Sequence, residues 1–421
     1  MSIFDIAAVV LILATAIGII NERLFGIPRV IAQLLGSLVL SLGVILVSHA
    51  TGDYRYATLL QNDLSGAHLP QILLNGVLAL LLFAASLNAS LHDLRANAVS
   101  VFCLATVGVL LSTTFFTVSF WGVLHALGMA VPIVWCFVLG AILAPTDAVA
   151  VEGLLRHSPL PDALKTTIIG ESLFNDGTAL VLFVTALAAV EGQHHLLGHG
   201  HVATAMIIEG GGGIALGMAT GFAAAWIMSL IRDDEIAIFA SLALALGTYR
   251  LATALGVSGP IGVVVAGIVL ANRTIATASE RERRQKVGVF WALIDNLLNV
   301  LLFVLLGFEI FAMNLSWLAA VSAAIAIPLA FLSRFFSVGL PLWLFRQPLA
   351  TDKRVPFLLT WLGLRGAISV ALVQIIPQGP YNDALLAACY AVVIFTVVIQ
   401  GLSTPRVIAA IYGNRAHTTP V

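Results

Sequence analysis

Residues 164–190 read LKTTIIGESLFNDGTALVLFVTALAAV, an apolar run that carries two carboxylates, Glu171 and Asp176, near its middle. About 20 mostly apolar residues cross a bilayer as a helix, so this run predicts a membrane span with charges inside it. An ionisable residue at the centre of such a span costs about 2.5–3.5 kcal/mol on insertion scales. Charges retained at that cost indicate a functional site.

The composition extends this interpretation to the whole chain. Of 421 residues, 60% are hydrophobic and 10% are charged, and the mean hydropathy is +1.04. Soluble proteins carry about 25% charged residues, so lipid must cover most of this surface and we expect an all-α polytopic membrane protein. The net charge is −1 and no long basic tract occurs, which argues against a nucleic-acid partner. The three cysteines form no CxxC pair, and we interpret them as small buried hydrophobes.

Apolar runs predict about thirteen spans. They lie near 3–20, 28–48, 70–90, 98–127, 131–151, 164–190, 203–230, 235–253, 256–272, 287–311, 315–345, 355–377 and 384–411. We interpret the first run as a span, because it lacks the basic start and the cleavage site of a removable signal. The basic segment 273–286 is predicted to be a linker between spans.

The basic residues predict the orientation, because cytoplasmic loops are enriched in Lys and Arg. With the N-terminus outside, Arg55 and Arg250 fall outside and Arg334 and Arg365 fall within spans, so the other 16 of the 20 are cytoplasmic. The C-terminus is then inside, with a short tail at 412–421. The short connections and tails favour a prokaryotic plasma (inner) membrane.

Two spans contain helix-breaking residues. Span five carries Ala144-Pro145-Thr146-Asp147, and span twelve carries Gly363-Leu364-Arg365-Gly366. They are seven spans apart, an odd number, as an inverted repeat with two interrupted helices requires. Pro145 removes a backbone donor and frees the carbonyl of Ala141, four residues earlier, so we expect freed carbonyls and the Thr146 hydroxyl to be available to an ion. Asp147 beside them could bind the ion through water or cap the half-helix, and a simple kink of the span is the alternative interpretation of Pro145.

Helical periodicity sorts the polar residues of span six into two stripes, because residues four apart lie on one face. Ser172 stacks with Asp176, and these hard oxygen ligands suit an alkali cation. Glu171 stacks with Asn175, which suits structural pairing. Charge balance pairs Glu171 with Arg334, leaving Asp176 as the titrating group, while Arg365 offsets helix ends where two interrupted helices cross.

Six motifs, in this order along most of the chain, resemble the cation:proton antiporter-1 family of sodium/proton exchangers. The motifs are APTDAVAV at 144–151, GESLFNDG at 170–177, SGPIGVVVAGIVLAN at 258–272, NVLLFVLLGFE at 299–309, SRFFSV at 333–338 and TWLGLRGAISV at 360–370. The resemblance implies thirteen spans, a homodimer, and a transport bundle that slides against a dimerisation domain. The dimerisation domain would comprise 1–97 (helices one to three) and 203–311 (a linker and helices seven to ten). The bundle would comprise 98–190 (helices four to six) and 315–411 (helices eleven to thirteen).

The resemblance also implies roles for individual residues. Asp176 would bind sodium and protons alternately, Thr146 and Ser172 would complete the ion site with Asp147 close by, and Asn175 would stabilise the crossing. Glu171 and Arg334 would be the family's buried ion pair. Many relatives carry a glutamate near position 84, where this chain has Ala84, so a carboxylate is missing there.

Exchange then follows from competition between ion and proton at Asp176, because an empty, charged site should not cross the barrier. Asn175, in place of an aspartate found in electrogenic relatives, favours electroneutral one-for-one exchange of Na⁺ or Li⁺ for H⁺. No cofactor and no enzymatic activity are expected, since no HExxH, GxGD-type or Ser/His constellation lies in the spans. A K⁺/H⁺ antiporter of the same fold and a cation channel remain alternatives.

Four loop histidines, His194, His195, His199 and His201, leave metal binding and pH sensing open. We interpret them as part of a solvated loop.

Overall fold

The computed structural model describes residues 3–51, 76–155, 158–192, 204–273, 278–308, 316–345, 352–377 and 379–413. Within these ranges the chain is helical and contains no strand. Nine of the described helical segments are long and apolar enough to cross a membrane, and Ile133–Leu143 and Gly259–Ala271 are shorter apolar helices. The prediction of an all-α polytopic membrane protein is confirmed at this level.

The helices of the first half are α1 Ile3–Ile20, α2 Arg29–Thr51, α3 Leu78–Ser86, α4 Leu91–Ala96, α5 Ala98–Cys103, α6 Val109–Ala126, α7 Ile133–Leu143, α8 Ala148–Leu155 and α9 Asp162–Val190. Those of the second half are α10 Gly211–Leu230, α11 Asp234–Ala254, α12 Gly259–Ala271, α13 Ala278–Phe308, α14 Trp317–Leu344, α15 Val355–Trp361, α16 Ala367–Gln374, α17 Asn382–Ile394 and α18 Gly401–Tyr412. Wider π-helical turns join α5 to α6 and α17 to α18, so each pair forms one continuous rod.

Two rods are interrupted where the proline and glycine motifs predicted a break. The gap between α7 and α8 contains Pro145, which cannot donate a backbone hydrogen bond. The gap between α15 and α16 contains Gly363 and Gly366. The two gaps meet, because the Asp147 amide donates to the Leu364 carbonyl at 2.8 Å. The chain therefore crosses over itself in two non-helical segments inside the protein.

The prediction of a basic linker over 273–286 is wrong for most of its length. The α13 helix begins at Ala278 and continues to Phe308 without interruption. Glu, Arg, Gln and Lys are good helix formers, so the polar segment extends the apolar helix. The Lys286 ammonium stabilises this turn through Glu282 Oε1 at 3.2 Å, and it also contacts Asp234 Oδ2 of α11 at 2.6 Å.

Glycines set the distance between α10 and α12. Gly213, Gly217 and Gly221 are four residues apart and therefore share one face of α10. A Cβ atom on Gly217 would lie 2.8 Å from the Val265 Cβ and closer still to the Gly262 carbonyl oxygen. Small residues at such an interface let two membrane helices approach closely.

We expect Gly217→Ala to destabilise the protein, because its methyl group would meet backbone that cannot move aside. Overpacking of this kind costs about 1–3 kcal/mol, which outweighs the gain of about 1 kcal/mol in helix propensity only where contact is tight. Gly247→Ala in α11 is the matched control, since no atom lies within 4 Å of its added Cβ. Thermal unfolding in detergent should show a lower melting temperature for Gly217→Ala alone. Equal melting temperatures for the two variants would contradict this packing.

Candidate ion-binding site

Asp176 is a buried carboxylate beside a small internal cavity. It lies on α9, and 7% of its surface is exposed. Among the residues that the structure describes, none forms a hydrogen bond with its carboxylate. Asp147 and Asn299 line the same cavity. The apolar residues around them are Leu81, Leu82, Ala85, Ala148, Leu302, Phe303 and Ile368. A carboxylate in this position can accept a proton or a desolvated cation.

Asp147 is placed beside this cavity by both helix interruptions. Its Oδ1 accepts a hydrogen bond from the Ala150 amide at 3.1 Å, which caps the beginning of α8. On the other side it lies against Gly366, where an added Cβ would be only 2.7 Å from the Asp147 Cγ. Glycine at 366 is therefore needed for the second interruption to approach this carboxylate.

A chain of hydrogen bonds joins the first interruption to α9. The Thr146 and Ser172 hydroxyls are 2.8 Å apart. The Asn175 Nδ2 group donates to Thr146 Oγ1 at 2.8 Å and to Glu171 Oε1 at 3.1 Å. Since Nδ2 faces a carboxylate, the Asn175 carboxamide oxygen points elsewhere, and it has no partner among the described residues. The two polar stripes of α9 are thus connected through Thr146.

Glu171 is neutralised by an arginine of α14. Arg334 Nη1 donates to Glu171 Oε1 at 2.8 Å, and Nη2 donates to Oε2 at 2.6 Å. Their side chains are 6% and 1% exposed, respectively. A bidentate Arg–carboxylate pair is the strongest form of this interaction, and it compensates the charge of Glu171 locally. The two acids that line the small cavity are Asp147 and Asp176.

Arg365 connects the two interruptions. Its guanidinium donates through Nη1 to the Ala144 and Pro145 carbonyls, and its backbone amide donates to Thr396 Oγ1 at 3.1 Å. The side chain is 1% exposed. It thus meets carbonyls at the end of α7, where the helix dipole is negative.

Three backbone carbonyls near the first interruption have protein partners. Arg365 takes those of Ala144 and Pro145, and the Ser369 hydroxyl donates to the Ile142 carbonyl at 2.9 Å. The carbonyl that Pro145 was expected to free is that of Ala141, which is not one of these three. The Ile142, Ala144 and Pro145 carbonyls already accept hydrogen bonds from protein groups.

A larger cavity of about 640 Å³, called the funnel below, shares one lining residue with the small cavity of Asp176. Its wall includes four arginines, namely Arg29, Arg273, Arg283 and Arg284. Two carboxylates, Glu152 and Asp295, also line it, and so does Ala84. Asn299 lines both this funnel and the small cavity of Asp176. The sequence alone suggested no role for Asn299, although its four-residue spacing from Asp295 in α13 places the two side chains on one helix face.

The loop histidines His194, His195, His199 and His201 lie outside the described residues, and so does the tail from 414 onward. Within the described ranges, no group of three or more His, Cys, Asp or Glu residues could hold a metal ion.

Comparison with known proteins gives consistent matches over the whole chain. The sequence model of the family described as sodium/hydrogen exchanger, transmembrane, matches residues 9–410. The Na⁺/H⁺ antiporter NhaP of Pseudomonas aeruginosa is 35% identical over 98% of this chain and 97% of its own length. The Na⁺/H⁺ antiporter NhaH of Halobacillus dabanensis is 28% identical over 94% of this chain and 95% of its own length.

The fold is also similar to a solved structure. The sodium proton antiporter MjNhaP1 of Methanocaldococcus jannaschii superimposes with a TM-score of 0.72 over 97% of this chain and 98% of its own, at 19% sequence identity. At that identity the likeness concerns the fold alone. The family model and the 35% identity over nearly the full length go further, and the chain belongs to the sodium/hydrogen exchanger family.

Proposed function

We propose that this protein exchanges Na⁺ or Li⁺ for H⁺ across a membrane, with ion and proton competing for Asp176. The observation that carries the proposal is the Asp176 carboxylate, which is buried beside a cavity and has no hydrogen-bond partner among the described residues. The relatives named Na⁺/H⁺ antiporters support the choice of ions. The protein is a transporter rather than an enzyme, and its substrates are ions, so no cofactor is required.

The contrast between the two acids of α9 supports Asp176 as the carrier. Glu171 is held by two charge-assisted hydrogen bonds from Arg334 and a third from Asn175, so its charge is stabilised at all times. Asp176 lacks such partners, and desolvation makes its bare charge costly. A bound proton or a bound sodium ion removes that cost. The loaded site can therefore switch from facing one side of the membrane to facing the other, and the empty site cannot.

The remaining ligands come from residues around Asp176. Ser172 lies one turn before it on α9, and the Ser172 hydroxyl contacts the Thr146 hydroxyl. We assign Ser172 and Thr146 as oxygen ligands of sodium, with Asp147 close by. Asn175 holds Thr146 and Glu171 in register through its two N–H groups. Arg365 compensates the helix end at the crossing.

The arginine-lined funnel marks the side from which this conformation admits ions. By the excess of Lys and Arg in cytoplasmic segments, Arg29, Arg273 and Arg284 belong to the cytoplasmic side. The funnel wall contains these arginines and narrows to Asn299, next to the Asp176 cavity. We therefore assign the structure to a state open to the cytoplasm. Ala84 brings no charge to this wall, which implies weaker attraction for sodium on entering.

The architecture that accompanies this function has thirteen spans, an outside N-terminus and an inside C-terminus. Helices of 98–190 and 315–411 would form the transport bundle, and those of 1–97 and 203–311 the dimerisation domain of a homodimer in lipid. Two interrupted rods that meet at Asp147 and Leu364 support an inverted repeat. The bacterial relatives and the apolar helices support the plasma membrane of a prokaryote.

Two other functions fit parts of the site. Potassium uses the same oxygen ligands as sodium, so a K⁺/H⁺ antiporter would need only a different cavity geometry. A cation channel would use the funnel as a pore, but a site lined by a buried, uncompensated carboxylate suits a carrier better. Strict coupling of cation flux to proton flux distinguishes the carrier from the channel.

Exchange should be measured with purified protein in liposomes that hold an imposed pH gradient and a pH-sensitive dye. Sodium and lithium should each dequench the dye, and Asp176→Asn should abolish the response because its amide cannot bind a proton reversibly. Asp234→Asn is the matched control, since it also removes one carboxylate, but from an exposed pair with Lys286. A response to potassium alone would mean that the exchanged cation is potassium rather than sodium. Failure of the folded wild-type protein to respond to any alkali cation would refute the proposed function.

Stoichiometry can be tested in the same liposomes with a potassium diffusion potential set by valinomycin. Control liposomes contain choline in place of sodium. In the sodium liposomes, an imposed potential should leave the rate of sodium-driven proton movement unchanged, because one-for-one exchange moves no net charge. A rate that rises or falls steeply with the potential would rule out electroneutral exchange.

The ion pair of α9 and α14 should determine stability more than turnover. Arg334→Gln strands the Glu171 charge, and breaking a buried pair by removing one partner costs about 3–5 kcal/mol. The neutral double variant Glu171→Gln/Arg334→Gln should regain most of this loss, because no unpaired charge remains. Thermal unfolding of the wild type, both single variants and the double variant would give the coupling energy. Additive losses would show that the two side chains do not act as a pair.

A further inference from the structure

The funnel and the ion cavity share one polar residue, Asn299 of α13. It lines the 640 Å³ funnel together with Asp295, and it lines the inner cavity together with Asp147 and Asp176. The residue is 5% exposed. Asn299 therefore lies where the funnel and the Asp176 cavity adjoin.

The hydrogen bonds of Asn299 fix which end of its carboxamide is available. The Nδ2 group donates to the Asp295 carbonyl at 2.8 Å and to Asp295 Oδ1 at 3.1 Å. Both partners are acceptors, so the amide must present its N–H groups to them and its oxygen to the other side. Among the described residues, no donor meets the Asn299 Oδ1 atom. The carboxamide oxygen of this residue, which lines both cavities, thus meets no donor among the described residues.

Asp295 contributes charge as well as orientation. It lies one helical turn before Asn299, which is about 6 Å along the axis. The arginines at 283 and 284 precede it on the same helix by about 16 Å or more. Along α13, the funnel wall therefore presents two arginines first and the Asp295 carboxylate afterwards, one turn before the amide.

We propose that Asn299 is a further sodium ligand, positioned by Asp295, at the passage between the funnel and Asp176. The carboxamide oxygen replaces a water molecule on the ion while the ion exchanges its hydration shell for the oxygens of the inner site. Amide and carboxylate oxygens are hard ligands that suit an alkali cation. Asp295 acts through Asn299 and through its field, and Asn299 contacts the ion. The inference rests on the proposed exchange of sodium for protons at Asp176.

Sodium-concentration series in the liposome assay test this assignment. Asn299→Leu keeps the size of the side chain but removes the oxygen, and it should raise the apparent KM for sodium about tenfold, the effect of losing one bond to a charged group. The maximal rate should change little, because Asp176 still carries the ion. Asp295→Asn should raise the apparent KM about threefold, as for a partly solvated charge. Only the Asp295 effect should shrink when choline chloride is added, because added salt screens a distant charge.

Two residues of the same helix provide matched controls. Glu282→Gln removes one carboxylate and Gln285→Leu removes one carboxamide, and both positions are exposed and lie outside the funnel wall. Both variants should retain the wild-type KM. A transport-independent measurement is the sodium concentration that gives half of the maximal thermal stabilisation of purified protein. In Asn299→Leu, this half-maximal sodium concentration should rise by the same factor as the apparent KM.

The outcomes separate this inference from the proposed function. An apparent KM within twofold of wild type in folded, exchanging Asn299→Leu protein would overturn the ligand role, even if Asp176→Asn abolishes exchange. If Asn299→Leu does not yield folded protein, Asn299→Ser replaces it, because its hydroxyl is too short to reach the same position. An unchanged KM in Asn299→Ser is then the contradicting result. Wild-type protein that exchanges no cation would refute both proposals together.

Discussion

Charge inside an apolar protein must be compensated where it lies, because neither lipid nor apolar side chains solvate it. The pair of Glu171 and Arg334 satisfies this requirement with two short hydrogen bonds between α9 and α14. The polar network depends on it: Asn175 bonds to the neutralised Glu171 and thereby holds Thr146, which contacts Ser172. The pair thus holds the Thr146 and Ser172 hydroxyls, which we propose as ligands, without using the carboxylate of Asp176. One acid of α9 supports the structure, and the proposed function assigns the other to the substrate.

The second compensated charge, Arg365, solves a different problem. A helix interruption inside the protein exposes carbonyls that water cannot reach, and each one left without a donor is costly. Arg365 satisfies two such carbonyls of the first interruption from its position in the second. Arg365 therefore allows the two interrupted helices to meet inside the protein. The next residue is Gly366, where a side chain would collide with Asp147.

Much of the fold and most of the site follow from the sequence because the membrane limits the choices. Apolar runs predicted the helices, and Pro145 and the glycines beside Arg365 predicted the two interruptions. The acids of span six drew attention by their cost. The helical start of α13 was missed because its charged residues were interpreted by polarity rather than by helix propensity. Asn299 was missed because a single neutral amide inside a span costs much less than a charge, so its presence there did not reveal a role. Its position became visible only when two cavities were seen to meet there.

The bonds between the two interruptions also limit how the protein can move. Asp147 to Leu364, Arg365 to Ala144 and Pro145, and Ser369 to Ile142 join α7, α8 and α16 at one place. Relative displacement of these half-helices would break several buried hydrogen bonds at once, so they are mechanically one body. Relative movement within the protein needs a surface that such bonds do not cross. The cavity between Asp176 and α13 has a mainly apolar wall. In the proposed exchange, these half-helices would move together as one block, and the movement would take place at the wall that contains Asn299.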